Sequence, residues 1–106
     1  MFTSVRQYRC EPEQVAELAH RIDESFADRL AEQPGFVAYE VIDCGEGRVF
    51  TLTVCQERDQ ADRSAELAAD FVRESLQDVT IERMSADSGE VLVNRARSEM
   101  MELVHA

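Results

Sequence analysis

The stretch Phe36-Val37-Ala38-Tyr39-Glu40-Val41-Ile42-Asp43, followed by Cys44-Gly45-Glu46-Gly47-Arg48 and then Val49-Phe50-Thr51-Leu52-Thr53-Val54-Cys55-Gln56, decides the fold. The flanking segments are rich in β-branched and aromatic residues, which suit a pleated, partly buried strand. Between them two glycines able to take positive φ mark a tight connection, so the pair reads as an antiparallel hairpin. Both segments are apolar on both sides: Phe36, Ala38 and Ile42 alternate with Val37, Tyr39 and Val41, and Phe50, Leu52 and Val54 stand against Cys55. A layer of helices covers one face of a sheet. The second apolar face needs another cover, and the matching face of a second copy is the simplest one.

Working outward, Phe2 to Arg9 alternates as a first strand, with Thr3 and Val5 on one side and Phe2, Arg6 and Tyr8 on the other. Cys10-Glu11-Pro12-Glu13 is a helix entry, since proline suits the first helical position and glutamates suit the positive end of the dipole. Val15, Leu18, Ala19, Ile22, Phe26 and Leu30 then recur at three- and four-residue steps, one apolar stripe that Pro34-Gly35 terminates. After the hairpin, Asp59 reads as the cap of a second helix whose inner stripe is Ala61, Ala65, Ala68, Ala69, Val72 and Leu76. Leu67 and Phe71 fall outside that stripe, as edge-of-core residues or as a patch for another subunit. Val79 and Ile81 give a weak beat that suits strand or loop, and Ser88-Gly89-Glu90 reads as a turn into a last strand, Val91-Leu92-Val93, ending near Asn94. The order is β-α-β-β-α-β: an α+β, ferredoxin-like antiparallel sheet with two helices on one face. Residues 1–95 form this one domain, and residues 96–106 a tail with a helical beat in Met100, Met101, Leu103 and Val104.

The 106 residues suit a single domain, and 44% hydrophobic with 31% charged residues is a globular composition. The formal net charge is −11, from 22 acidic and 11 basic residues, and every basic residue is arginine. Such an acidic surface repels phosphate backbones and anionic lipid heads, so neither nucleic acid nor membrane is an expected partner. Without lysine there is no Schiff-base chemistry and no P-loop phosphate site. With no long apolar run and no signal-like N-terminus, a cytoplasmic location is expected. Cys10, Cys44 and Cys55 are odd in number and lie in no C-x-x-C pair, so a disulfide framework or zinc ribbon is not implied, and Cys55 is expected to pack in the sheet.

Candidate chemistry is sparse. His20 lies roughly 140° round the first helix from Val15, facing solvent, and with His105 it gives no metal-ligand spacing. Glu11 and Glu13, and Asp59 and Asp62, sit where helix starts want negative charge, which accounts for them without acid–base work. Tyr8 and Tyr39 each place a hydroxyl at the end of a packing ring on a strand, suited either to core packing or to a pocket. Arg6 alone reads as the arginine of a surface ion pair.

The order of elements, the segment Pro34-Gly35-Phe36-Val37-Ala38-Tyr39-Glu40-Val41 and the passage Cys55-Gln56-Glu57-Arg58-Asp59 resemble the antibiotic biosynthesis monooxygenase-like group of the dimeric α+β barrel superfamily. The resemblance implies a homodimer with facing sheets and, in each subunit, a small-molecule pocket between sheet and helices. It also implies a site that orients a reduced aromatic or polyketide-like substrate without metal or flavin, so no cofactor is expected. On that pattern Tyr39 and Asn94 are the catalytic candidates, and Arg6, Tyr8 and Phe36 the substrate contacts. Two features depart from active members: there is no tryptophan where Cys55 stands, and no histidine between Asp59 and Leu76 such as haem-degrading members use. A non-catalytic dimeric module that only holds a ligand is the alternative expectation.

Overall fold

A computed structural model describes residues 1–97. Four strands, β1 (Phe2–Cys10), β2 (Phe36–Gly45), β3 (Arg48–Cys55) and β4 (Ile81–Glu90), form one sheet in the order β2-β3-β1-β4, with every neighbouring pair antiparallel. A 3-10 turn (Pro12–Gln14), α1 (Val15–Ser25) and α2 (Ala27–Ala31) link β1 to β2, and α3 (Arg58–Ser75) links β3 to β4. This is the ferredoxin-like β-α-β-β-α-β order, and the helices pack on one face.

The hairpin closes where the glycines require it. Gly45 pairs with Arg48, and Glu46 and Gly47 between them have φ of 59° and 80°, both in the left-handed region that suits the twist of a two-residue loop. Gly47 also has no room for a side chain, because a Cβ there would lie 2.0 Å from the Cys10 carbonyl oxygen, and its own carbonyl accepts the Cys10 N–H at 2.9 Å.

At the start of β2 the register slips: Phe36 pairs with Cys55 but Ala38 with Val54. The bulge leaves Val37 exposed and sets Phe36 on the helix side with Tyr39 and Val41, rather than with Ala38 and Ile42 as strict alternation would have it. Helix side and open side are then distinct. Ser4, Arg6, Tyr8 and Cys10 of β1 and Val49, Thr51, Thr53 and Cys55 of β3 are buried beneath the helices. Val5, Phe50, Leu52, Val54 and Ala38 are half-buried on the open side, where Ile42 is exposed.

Leu18, Ile22, Phe26 and Leu30 carry the first apolar stripe into the core as expected, across a break at Phe26 that separates α1 from α2. The second stripe is corrected. The buried residues of α3 are Ala61, Ser64, Ala68 and Phe71, while Ala65 and Ala69 are half-buried. Phe71 is a core residue stacked on Phe26 with ring centroids 4.9 Å apart, because burying one phenyl removes more apolar surface than burying either alanine. The cap is corrected too. Glu57 is the N-cap, its backbone N–H donating to Gln60 Oε1 at 2.9 Å in a reciprocal capping box, and Asp59 lies within the first turn.

The last strand is Ile81–Glu90, not Val91–Val93. It runs along β1 from Cys10↔Ile81 to Phe2↔Glu90. β4 is an edge strand held by backbone hydrogen bonds, so its exposed Glu82, Ser85 and Asp87 are tolerated and even discourage edge-to-edge pairing. After the Val91 N–H donates to the Met1 carbonyl at 2.9 Å, Leu92 and Val93 stand in solvent. The helical beat at Met100–Val104 lies outside the described residues. Among those described, no helix is long and apolar enough to cross a membrane.

Candidate functional site

Arg6 occupies the middle of β1, the sheet's inner strand beside β3, and its side chain is fully enclosed, with 0% exposed. Its Nε donates to Thr51 Oγ1 at 2.9 Å, Nη2 to Thr53 Oγ1 at 2.8 Å, and Nη1 to Ser4 Oγ at 2.9 Å and to Ser64 Oγ at 3.4 Å. Pairing of Arg6 with Thr51 across the β1–β3 ladder brings the first of these into reach, and the twofold alternation of each strand brings the others. The surface ion pair expected for Arg6 is thus corrected: among the described residues no carboxylate lies within ion-pair distance of it. Burial lowers its pKa, the nearby phenols of Tyr8 and Tyr39 oppose that, and the like charge of Arg83 adds to it. A guanidinium remains charged even so. The interior therefore holds a cation solvated only by hydroxyl groups, an arrangement that costs more than a paired charge.

Arg83 on β4 adds to the excess. Its guanidinium lies 5.9 Å from the centre of the Tyr8 ring, Nη2 donates to the Ala65 carbonyl at 3.1 Å, and Nε is buried without a partner. The layer between α3 and the sheet thus carries two arginines in a chain of net charge −11.

Next to Arg6 a cavity of about 270 Å³ opens between the start of β2, the end of β3 and the first turns of α3. Leu30, Pro34, Phe36 and Leu67 give it apolar walls, Cys55 and Ser64 line it where it meets the sheet, and the exposed Asp59 and Arg63 stand at its mouth. Burial pushes the Cys55 thiol up, against a smaller opposing pull from Arg6, so at neutral pH it carries its proton. Gly35 sets the wall geometry. With φ of +76° it lies so close to the α3 capping box that a Cβ would fall 1.8 Å from Gln60 Oε1, and its carbonyl accepts the Gln56 N–H at 2.9 Å.

Phe36 lines this cavity and Arg6 lies behind it, joined to it through Ser64. Tyr8 and Tyr39 do not line it. They bound a void of about 20 Å³ among Leu18, Phe26 and Phe71, room for about one water. The Tyr39 ring meets Phe26 edge-on at 5.9 Å, and burial pushes its phenol well above the usual range, which keeps it protonated at neutral pH. Asn94 is exposed in the irregular segment beyond β4 and is not brought to the other candidates within the chain. His20 faces solvent beside Glu24 at 3.4 Å, as expected. Sequence reasoning missed Ser64 and the hydroxyl shell of Ser4, Thr51 and Thr53. A signal existed: Thr51 and Thr53 share the parity of Val49 and Cys55, so the side of β3 that joins Cys55 is more polar than the side of Phe50, Leu52 and Val54.

No family model and no curated protein matches the chain. Solved structures do. The haem degrader MhuD of Mycobacterium tuberculosis, determined with two haems in its active site, superposes with a TM-score of 0.70 at 18% identity, over 91% of this chain and 100% of that one. A dimeric ferredoxin-like protein from an uncultured marine organism gives 0.70 at 11% identity, over 91% and 98%. An inferred antibiotic biosynthesis monooxygenase from Chloroflexus aurantiacus gives 0.65 at 12%, over 90% and 96%. The fold of this chain is that of the antibiotic biosynthesis monooxygenase-like and dimeric ferredoxin-like proteins. Haem as a ligand fits poorly. The helix α3 beside the cavity carries no histidine, the one thiol lining the cavity is held protonated, and no cluster of metal-ligating side chains occurs among the described residues.

Proposed function

We propose that the chain is a cytoplasmic homodimer of the monooxygenase-like type, acting without a cofactor on an aromatic or polyketide-like substrate held between Phe36, Leu67, Cys55 and Ser64. The observation that carries this reading is the cavity itself: about 270 Å³ with apolar walls and a polar end, beside a core whose own void is about 20 Å³. The reaction that suits such a site needs little from the protein. A hydroxyarene bound as its anion adds dioxygen at a ring carbon to give a hydroperoxide, a two-electron step; loss of the proton from that carbon with cleavage of the O–O bond, two electrons more, leaves one oxygen as the new carbonyl and releases the other as water, so that phenol plus O₂ becomes quinone plus water. The chain supplies orientation by Phe36 and Leu67, exclusion of water, and a polar end that favours the ionised substrate. Tyr39 lines the core void and not the cavity, and its protonated phenol is suited to donating a hydrogen bond and not to removing a proton. Asn94 is left outside the site.

The open face of the sheet supports the homodimer. Val5, Phe50, Leu52 and Val54 are more apolar than the residues of the same strands beneath the helices, and such a face is ordinarily covered. Light scattering should give about twice the 12.0 kDa chain mass, and a clean monomer would remove this part of the proposal.

A second reading rests on one observation. The cavity lining contains no histidine, its cysteine is held protonated, and its carboxylate stands at the mouth, so a dedicated base is missing and the pocket suits a module that only holds a ligand. Oxygen uptake with 1,5-dihydroxynaphthalene, whose conversion to a hydroxynaphthoquinone takes one O₂ and releases water rather than hydrogen peroxide, separates the two. The enzyme reading expects one O₂ consumed per quinone formed, with the rate lost when Leu67→Trp fills the cavity; binding without uptake establishes the module.

A further inference from the structure

We infer that Arg6 is the anion receptor of this cavity, and that the ligand is a flat, apolar monoanion, an aryl carboxylate or phenolate, which docks at Ser64 and takes its place as acceptor of the Arg6 Nη1 hydrogen bond. The inference rests on the cavity being the ligand site, as proposed above, and adds the charge and shape of what enters it.

Three observations converge. The first is charge. Arg6 is enclosed with hydroxyl partners alone, Arg83 lies in the same layer with a buried, unpartnered Nε, and no described carboxylate pairs with Arg6. A monoanion is what this interior lacks. The second is geometry. The bonds from Arg6 to Thr51, Thr53 and Ser4 are 2.8 to 2.9 Å, whereas the bond to Ser64 is 3.4 Å. Ser64 is the partner that lines the cavity, and its own proton is already given to the Ala61 carbonyl at 2.6 Å. The weakest of the four bonds is therefore the one facing ligand, and an ionised oxygen is a far stronger acceptor than a serine hydroxyl already engaged elsewhere. The third is selection against other anions. The walls are Leu30, Pro34, Phe36 and Leu67, which cannot replace the hydration of phosphates and other polyanions; Asp59 and Arg63 at the mouth offset each other, and the chain's net charge of −11 adds a general repulsion of polyanions. Ring systems of one or two rings suit a volume of about 270 Å³.

Titration calorimetry with 2-naphthoate and its neutral amide, 2-naphthamide, tests this on the full chain. Wild type should bind naphthoate about tenfold or more tightly than naphthamide, the discrimination expected of a hydrogen bond to a charged group, and Arg6→Met should bring the two to equality. Ser64→Ala, which removes the competing acceptor and fills no space, should tighten naphthoate and leave naphthamide unchanged. If Arg6→Met does not fold, wild type alone still decides: the absorbance of bound 1-naphthol should show ionisation at lower pH than in solution. Equal binding of the acid and the amide by wild type, or a bound naphthol that ionises at the same or higher pH, overturns the anion receptor while the cavity remains a ligand site. No binding of any of the three probes overturns both.

Discussion

Beneath the helices β3 presents Val49, Thr51, Thr53 and Cys55, and β1 presents Ser4, Arg6, Tyr8 and Cys10; on the opposite face the same strands present Phe50, Leu52 and Val54, and Thr3, Val5 and Gln7. The enclosed face is thus the more polar along β3, and the face open to water in one chain is the more apolar. A sheet packed only for its own stability would distribute these residues the other way round. The difference teaches that two kinds of burial act on the two faces. The apolar open face suits a second copy of the chain, and the polar enclosed face suits a charge that is retained despite its cost. Buried charge of this kind is weak ground for stability and better ground for a site.

The largest expected effect breaks the open face. Leu52 sits at its middle, paired with Val5 on one side and Glu40 on the other. If the open face is the interface of the proposed homodimer, Leu52→Asp places a carboxylate in it at a cost of about 2–4 kcal/mol in association, enough to give a folded monomer at micromolar concentration. Sedimentation together with circular dichroism checks this. A variant that stays dimeric shows that the interface lies elsewhere.

A smaller effect sharpens the contrast, using one substitution on both faces. Thr53→Val keeps the shape of the side chain and removes the 2.8 Å acceptor of Arg6 Nη2, so unfolding in urea should show a loss of about 1.5–3 kcal/mol. Thr3→Val, on the open side of β1, should change stability by no more than about 0.5 kcal/mol. Equal effects at the two positions would mean that the hydroxyl shell of Arg6 has no special weight.

How much of this was legible beforehand follows from the range over which each feature is encoded. The hairpin is local, and Cys44-Gly45-Glu46-Gly47-Arg48 announces it. The first helical stripe is local as well, and Leu18, Ile22, Phe26 and Leu30 all reach the core. Alternation correctly set Arg6 beside Phe2 and Tyr8, but its partners Thr51 and Thr53 come from another strand, so only the β1–β3 register reveals why an arginine can be enclosed. Ser64 interrupts the apolar stripe of α3, which is why a stripe of alanines looked more regular than the true one with Phe71. β4 was hidden because an edge strand paired through its backbone needs no apolar alternation, and the adjacent Val91-Leu92-Val93 offered a stronger but misleading pattern. Asn94 was drawn toward the site by that misplaced strand.

The smallest expected effect concerns an arginine that did find its carboxylates. Arg21 on α1 donates from Nη1 and Nη2 to Asp78 at 2.6 and 2.7 Å and from Nε to Glu17 at 2.9 Å, all in solvent. The hydrogen bonds from Arg21, ahead of one from the Asp78 backbone, lower the Asp78 pKa from 3.8 to about 2. A carboxylate with a depressed folded pKa stabilises the fold above its unfolded value and loses that contribution as pH falls toward the folded one. Asp78→Asn should therefore be slightly less stable than wild type at neutral pH, with the two unfolding curves converging between pH 3.8 and about 2. Urea midpoints measured across that window and below it check this, and a difference undiminished well below pH 2 would mean that Asp78 acts through something other than its charge. Arg6 adds no such slope, because its partners are hydroxyls that do not titrate there. Exposed pairing makes an arginine cheap, weak and sensitive to acid. Enclosure among hydroxyls makes one costly, insensitive to acid and available to an incoming anion.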